Sequence, residues 1–251
     1  MCVHGFKGFK DWGFWPETAA RVCAAGYGVV RFNFSHSGIG EDLQTFSEGE
    51  LFETGTYTRE AMDLRQVLRA AVRGELPGSS RVDWAKPGLV AHSRGAVSAL
   101  AAAAEGLAGS VVLWNPVASV LWWDAETRRQ WRESGGWPVT NARTGQTFSI
   151  RTGLLDDAET HRSELDPVAN AARTEAPLLV VVAGNDESVS PDAGRRLARA
   201  AAAERSSLRE LPGTGHTFGA AHPWREAPPA WEAALSATLE HFDRTLGRGR
   251  P

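Results

Sequence analysis

The feature that most constrains the fold is a regular alternation between short apolar runs and longer helical stretches. The apolar runs lie at residues 29–32, 88–91, 110–114 and 178–183, and a final strand is expected at 207–211. Stretches with helical character lie at 17–25, 58–73, 94–105, 192–204 and 229–246. Continuous apolar runs are typical of strands buried on both faces of a parallel sheet. The alternation therefore predicts a doubly wound, mostly parallel α/β fold.

The alternation stops between residues 115 and 176, where no strong buried strand is found. This segment contains a candidate hairpin at 139–148, followed by what we expect to be short helices over 154–172. A long interruption of this kind inside a compact domain is usually functional. We therefore predict a core formed by 1–114 and 177–251. The remaining residues, 115–176, form a cap over the carboxyl ends of the strands and are referred to below as the cap segment.

Composition limits the classes of partner that the chain can have. The 27 basic and 30 acidic residues give a net charge of −3, and the basic residues are scattered, which argues against nucleic acid or an anionic membrane as partner. No apolar stretch approaches the roughly 20 residues of a membrane span, and the first ten residues lack the apolar part of a signal peptide. We therefore expect a cytoplasmic protein. Cys2 and Cys23 are expected to be reduced thiols.

No metal or cofactor is expected from the sequence. The histidines are dispersed, and no spacing of histidine, aspartate and cysteine fits a zinc ligand set. No glycine-rich motif for a phosphate or a dinucleotide follows a strand.

Ser93 is the first candidate for chemistry. It lies in the string Ala91-His92-Ser93-Arg94-Gly95, between an apolar strand and an alanine-rich helix. A nucleophilic serine on a sharp strand-to-helix turn needs small residues two positions before and after it, and Ala91 and Gly95 supply them. Glycine is more usual at the first position. The alternative is an ordinary serine that caps the helix.

A serine needs a base, and that base needs an orienting carboxylate. His216 lies in a glycine-containing loop directly after the last strand, and His222 is a weaker candidate a few residues later. Asp186 follows the preceding strand and is favoured over the adjacent Glu187. The order Ser93, Asp186, His216 is the order typical of α/β-hydrolases.

A loop near the chain start can complete an oxyanion hole. The His4-Gly5 pair allows the backbone to turn so that the Phe6 amide faces the serine, although it could also be a plain turn. The Arg94 amide at the start of the helix is the second candidate donor. We interpret His4 and His92 as structural hydrogen-bonding residues.

Four tryptophans of the cap segment are candidates for substrate contact: Trp122, Trp123, Trp131 and Trp137. The competing interpretation is core packing, because a small cap has little else to bury and aromatic side chains bury large areas.

These motifs together resemble bacterial α/β-hydrolases, with the dienelactone hydrolases, cinnamoyl (feruloyl) esterases and serine aminopeptidase-like hydrolases as the closest groups. The strings that carry the resemblance are 3–12, 31–35 and 92–95, and it extends over essentially the whole chain. The resemblance implies an eight-stranded, mostly parallel sheet with a cap inserted between its sixth and seventh strands. It also implies a triad of Ser93, Asp186 and His216, with the Phe6 and Arg94 amides as oxyanion donors.

Two departures from the family pattern matter. Dienelactone hydrolases use a cysteine where this chain has Ser93, so the resemblance favours a serine esterase. The family also has two strands and most of a third before the loop that corresponds to His4-Gly5. We therefore expect a sheet truncated at its amino-terminal side, and a chain less stable than a form extended upstream.

The sequence predicts hydrolysis of a carboxylic ester through an acyl-enzyme, with small or aromatic acyl groups favoured and a small-molecule ester as the partner. One alternative is a peptidase or amidase that uses the same triad. The other is a catalytically impaired binding protein, which the expected truncation of the sheet makes conceivable.

Overall fold

A computed structural model describes residues 1–247 and contains a central sheet of five parallel strands. The strands in chain order are β1 (Cys2–Val3), β2 (Gly88–His92), β3 (Ser110–Trp114), β4 (Gly136–Thr140), β5 (Thr147–Arg151), β6 (Leu178–Ala183) and β7 (Ser206–Leu211). The central sheet has the order β1-β2-β3-β6-β7, and β4 pairs with β5 in a separate antiparallel hairpin.

The helices cover both faces of the central sheet. They are α1 (Trp15–Ala24), α2 (Gly49–Glu53), α3 (Tyr57–Val72), α4 (Gly95–Ala104), α5 (Ala125–Ser134), α6 (Gly153–Thr160), α7 (Arg162–Leu165), α8 (Pro167–Arg173), α9 (Pro191–Ala200) and α10 (Pro229–Thr245). Apolar side chains of α3, α4, α8 and α9 pack on one face, and those of α1 and α10 pack on the other. Alternate residues of the inner strands point to opposite faces, so Leu89 and Val111 enter the first layer and Val90 and Val112 the second. The doubly wound parallel fold is therefore as predicted.

The expected strand at 29–32 is wrong. This run contributes a single bridge between Cys2 and Arg31, supported by a hydrogen bond from the Cys2 amide to the Val30 carbonyl. Its neighbour β1 is two residues long, so at most two residues of the run can pair with it, and the structure shows one such bridge. In the described residues the central sheet therefore has five strands rather than the eight that the resemblance implies.

The cap segment leaves the sheet after β3 and returns to it at β6. It contains the expected hairpin, formed by β4 and β5, and the expected short helices α6 to α8. Its apolar side chains, together with others from α2, α3 and α4, form a third cluster separate from the two layers on the sheet. No helix within residues 1–247 is both long enough and apolar enough to cross a membrane.

Candidate active site

Ser93 lies in the turn between β2 and α4, with a φ of +54°. A non-glycine residue with positive φ is strained by roughly 1–3 kcal/mol, and such strain clusters at functional sites. The turn is possible because Gly95 lacks a side chain: a Cβ atom there would lie 2.6 Å from the His4 carbonyl oxygen. Ala91, the departure from glycine, is fully buried in the apolar layer on one face of the sheet.

His216 and Asp186 are joined by a hydrogen bond. The Nδ1 atom of His216 lies 2.7 Å from Oδ2 of Asp186, whose side chain is only 1% exposed. The other carboxylate oxygen, Oδ1, accepts from the Ser188 and Val189 amides at 2.8 and 2.9 Å. Burial by itself would raise the pKa of Asp186, but the hydrogen bonds from His216 and the two amides lower it below its ordinary value. The carboxylate is therefore ionised, and because it bonds to Nδ1, the other ring nitrogen of His216, Nε2, has no hydrogen bond within residues 1–247.

Two hydrogen bonds hold the backbone of His216 beside the serine turn. Nε2 of His92 donates to the His216 carbonyl at 2.9 Å, and Nδ2 of Asn115 donates to the same oxygen at 2.7 Å. Burial and the neighbouring His216 ring lower the pKa of His92 to about 3, so His92 is a neutral structural donor. Ser93 and His216 both line one cavity.

Asn115 is part of the site but was not predicted from the sequence. It follows β3, is 2% exposed, and has a φ of +46°. Its Oδ1 accepts from the Ala183 amide at 2.7 Å while its Nδ2 holds His216, so it connects β6 to the histidine loop. The signal available in the sequence was a polar residue directly after the apolar run 111–114.

The alternative candidates lie elsewhere. His222 accepts from the Gly13 amide at 2.9 Å and contacts Gln44 through Nε2, and it is absent from the cavity lining described by the structure. Glu187 is exposed and makes no hydrogen bond or ion pair within residues 1–247. The structure thus brings together the favoured members of each pair.

The loop after β1 packs directly on the serine turn. A Cβ atom on Gly5 would lie 2.9 Å from both the His92 carbonyl oxygen and Ser93 Cβ, and 3.3 Å from the Arg94 nitrogen. In the described part of the chain, neither the Phe6 nor the Arg94 amide donates a hydrogen bond to another protein group. Gly5, which directly precedes the Phe6 candidate donor, is thus in contact with the serine turn.

His4 fixes this loop. Its Nδ1 donates to the Gly5 carbonyl at 3.0 Å, and its Nε2 accepts from the Phe34 amide at 3.3 Å. Burial lowers the pKa of His4 to about 4, so the ring is neutral. His4 and His92 are placed as the structural hydrogen-bonding residues that we expected.

The side chain of Arg94 is an unanticipated part of the site. Its Nε and Nη2 atoms each lie 3.0 Å from an oxygen of Glu60 on α3, and the two side chains are 9% and 15% exposed. The guanidinium also stacks 4.2 Å from the Tyr57 ring centroid and 5.2 Å from that of Phe6. Burial raises the pKa of Glu60, although the facing Arg94 opposes this shift. Arg94 and Phe6 carry the two candidate oxyanion donors. The Glu60–Arg94 ion pair therefore connects α3 to Arg94 directly and to Phe6 through the stacked guanidinium.

A cavity of about 620 Å³ opens beside Ser93. Its aromatic wall consists of Phe6, Tyr57, Trp122, Trp123 and Trp137, and its polar lining includes Lys7, Ser119, Thr140, Ser188, Ser190 and Arg196. Of the four cap tryptophans, Trp131 is the exception. It is 1% exposed, and its Nε1 donates to the Ile150 carbonyl at 2.7 Å, so it belongs to the core of the cap segment and not to the cavity. Trp131 is thus a packing residue, and for the three tryptophans that line the cavity substrate contact stays a prediction.

A doubly wound parallel sheet with a strained serine turn and a His–Asp pair in loops after later strands is the arrangement typical of the α/β-hydrolases. A sequence profile described as the alpha/beta hydrolase family matches residues 1–235. The chain belongs to this family. No curated protein sequence matches it.

Several solved structures share the fold at low sequence identity. A monoacylglycerol lipase from Paleococcus ferrophilus is 18% identical with a TM-score of 0.67, over 95% of this chain and 91% of that one. Est1E from Butyrivibrio proteoclasticus, with ferulic acid bound, is 16% identical with a TM-score of 0.59, over 96% and 88%. An esterase domain from Rhodothermus marinus is 19% identical with a TM-score of 0.56, over 98% and 83%. The hydrolase fold thus extends over nearly the whole chain.

Proposed function

We propose that this protein is a serine hydrolase that cleaves carboxylic esters through an acyl-enzyme on Ser93. The observation that carries the proposal is the His216–Asp186 hydrogen bond of 2.7 Å, held by two further bonds beside a strained serine in one cavity. The names of the structural neighbours, which include a lipase and esterases, support the same reaction class.

In the first half-reaction, Oγ of Ser93 attacks the ester carbonyl carbon while Nε2 of His216 takes its proton. The carbonyl oxygen becomes an oxyanion that accepts hydrogen bonds from the Phe6 and Arg94 amides. Each such donor typically contributes roughly 10²–10³ in rate. The tetrahedral intermediate collapses, the bond to the alcohol oxygen breaks, and His216 gives the proton to the departing alcohol.

In the second half-reaction, water attacks the acyl-enzyme. His216 removes the water proton and returns it to Oγ of Ser93 as the carboxylic acid leaves. Asp186 stays ionised throughout and stabilises the transient imidazolium. Trp122, Trp123 and Trp137 form an apolar wall for the acyl or alcohol part. An ester is favoured over a peptide because, among the described residues, no carboxylate lines the cavity to bind a peptide amino terminus.

The decisive variant is Ser93→Ala. It should lower turnover of p-nitrophenyl butyrate by at least about 10³-fold and abolish labelling by a fluorophosphonate probe, while the circular dichroism spectrum stays unchanged. Ser188→Ala is the matched control, because Ser188 lies on the wall of the same cavity, and it should retain labelling. Full turnover in the Ser93 variant would contradict the proposal. Folded wild-type protein that does not label would support a binding role, and faster turnover of the matched p-nitroanilide would support an amidase.

A further inference from the structure

The charges that line the cavity differ from those of the molecule as a whole. The chain has a net charge of −3, yet the cavity lining contains Lys7, Arg94 and Arg196 and, within residues 1–247, no aspartate or glutamate. Arg94 is neutralised by Glu60, as described above. Two uncompensated cations therefore remain, on Lys7 and Arg196.

The basic residues nearest to these two along the chain form ion pairs. Arg195, adjacent to Arg196 on α9, bonds to both Asp192 and Glu210. Lys10 pairs with Asp11. In contrast, Arg196 makes no ion pair in the described residues, and Lys7 makes only a 3.4 Å contact with the Thr140 carbonyl oxygen. Both side chains are exposed, so they lie at the rim and can meet a ligand without losing a partner.

The two cations lie on opposite sides of the serine turn. Lys7 follows β1, and Arg196 lies on the helix after β6, while Ser93 follows β2. In the strand order β1-β2-β3-β6, three inter-strand spacings separate β1 from β6, which is about 14 Å. A group attached to either side of a scissile ester can thus reach one cation while the carbonyl lies at Ser93.

We infer that the cavity selects esters carrying an anionic group, a carboxylate at the far end of the acyl or alcohol part, with Lys7 and Arg196 as the recognising residues. This inference rests on the proposed ester hydrolysis. The aromatic wall accepts the apolar middle of the substrate, and the rim cations meet its charged end. The rim cations also attract anionic substrates to the cavity mouth, against the net negative charge of the rest of the molecule.

The test compares two esters of equal length, mono-p-nitrophenyl adipate and p-nitrophenyl hexanoate, which differ only in the terminal carboxylate. The wild type should show a higher kcat/KM for the adipate, and raising NaCl from 20 mM to 500 mM should reduce this preference severalfold. Arg196→Glu and Lys7→Glu should each lower the ratio of adipate to hexanoate kcat/KM by about fivefold to tenfold. Arg199→Glu is the control, because Arg199 is exposed on the same helix but lies outside the cavity, and its ratio should match the wild type.

The outcomes separate the two proposals. If Ser93 is essential for hexanoate turnover but the ratio is the same in all variants and at both salt concentrations, charge selection is wrong and ester hydrolysis stands. An equal fall in the ratio for Arg199→Glu would also overturn charge selection, since it would reflect only the net charge of the molecule. If neither ester is hydrolysed, the proposed function itself fails.

Discussion

At the scale of single residues, the site depends on close backbone approach more than on unusual side chains. Gly5 and Gly95 lie where neighbouring backbone occupies the space of a side chain. Because both residues lack a Cβ atom, the loop after β1 contacts the serine turn, and Gly5 lies against Ser93 and the Arg94 nitrogen. Asn115 acts at the same scale, because one buried amide side chain bonds to both β6 and the His216 loop.

Gly5→Ala should therefore impair the reaction. The new methyl group would lie 2.9 Å from the His92 oxygen and from Ser93 Cβ, so the loop must move and carry the Phe6 amide with it. Displacing one oxyanion donor should lower kcat by about 10²-fold with little change in KM. Steady-state kinetics with p-nitrophenyl butyrate measures both constants. Gly153→Ala is the control, since a Cβ atom there meets nothing within 4 Å, and a similar fall in its kcat would argue against the mechanism.

At the scale of elements, α3 is joined to α4 by two ion pairs of different character. Near the start of α4, the side chain of Glu60, which is 15% exposed, forms an ion pair with that of Arg94, which is 9% exposed. At the end of α4, Arg65 donates to Glu105 at 3.0 Å. The Arg65 side chain is 25% exposed and the Glu105 side chain is 43% exposed. Removing one partner of a buried pair leaves an uncompensated charge, whereas exposed pairs contribute little.

Glu60→Gln should accordingly lower the free energy of unfolding by about 3 kcal/mol, and Glu105→Gln by less than about 1 kcal/mol. Urea denaturation followed by tryptophan fluorescence measures both values. Because Arg94 also carries a candidate oxyanion amide, the folded Glu60 variant should show a lower kcat, and the Glu105 variant should not. Equal losses of stability in the two variants would contradict the assignment of the buried pair.

At the scale of the whole molecule, two buried histidines link stability to pH. The ordinary histidine pKa is 6.5, and burial lowers it to about 4 in His4 and about 3 in His92. Between pH 6.5 and 4 the unfolded chain therefore binds more protons at these two residues than the folded protein does. The stability that the neutral rings contribute is present above pH 6.5 and is lost as the pH falls through this window.

We expect the free energy of unfolding to decrease between pH 7.5 and pH 5 by on the order of 2 kcal/mol for each of the two rings. Urea denaturation at the two pH values gives the difference. His92→Gln should remove about half of it. A His92 variant with the full pH dependence of the wild type would show that this ring is not the source.

Much of the architecture was predictable because its signals are local. Apolar runs identified β2, β3 and β6, and a serine with small neighbours after β2 identified the strained turn. In a parallel sheet, the residues that follow the strands meet at one edge, so Ser93, Asp186 and His216 could be expected together. The prediction of a strand at 29–32 was wrong because strand pairing is not a local property. The apolar pattern of this run suits a strand, but pairing also depends on the length of the neighbouring strand.

The sequence by itself therefore determined the sheet, the serine turn and the order of the polar loops, since each follows from residues near one another in the chain. The tertiary structure alone decided which side chains share a space. It placed Trp131 in the core of the cap segment and the other three tryptophans on the cavity, paired Glu60 with Arg94 across 34 positions, and gave Asn115 its two partners. It also left Arg196 without the carboxylates that its neighbour Arg195 has. Burial and charge pairing at these residues arise from contacts between distant parts of the chain, which no local pattern contains.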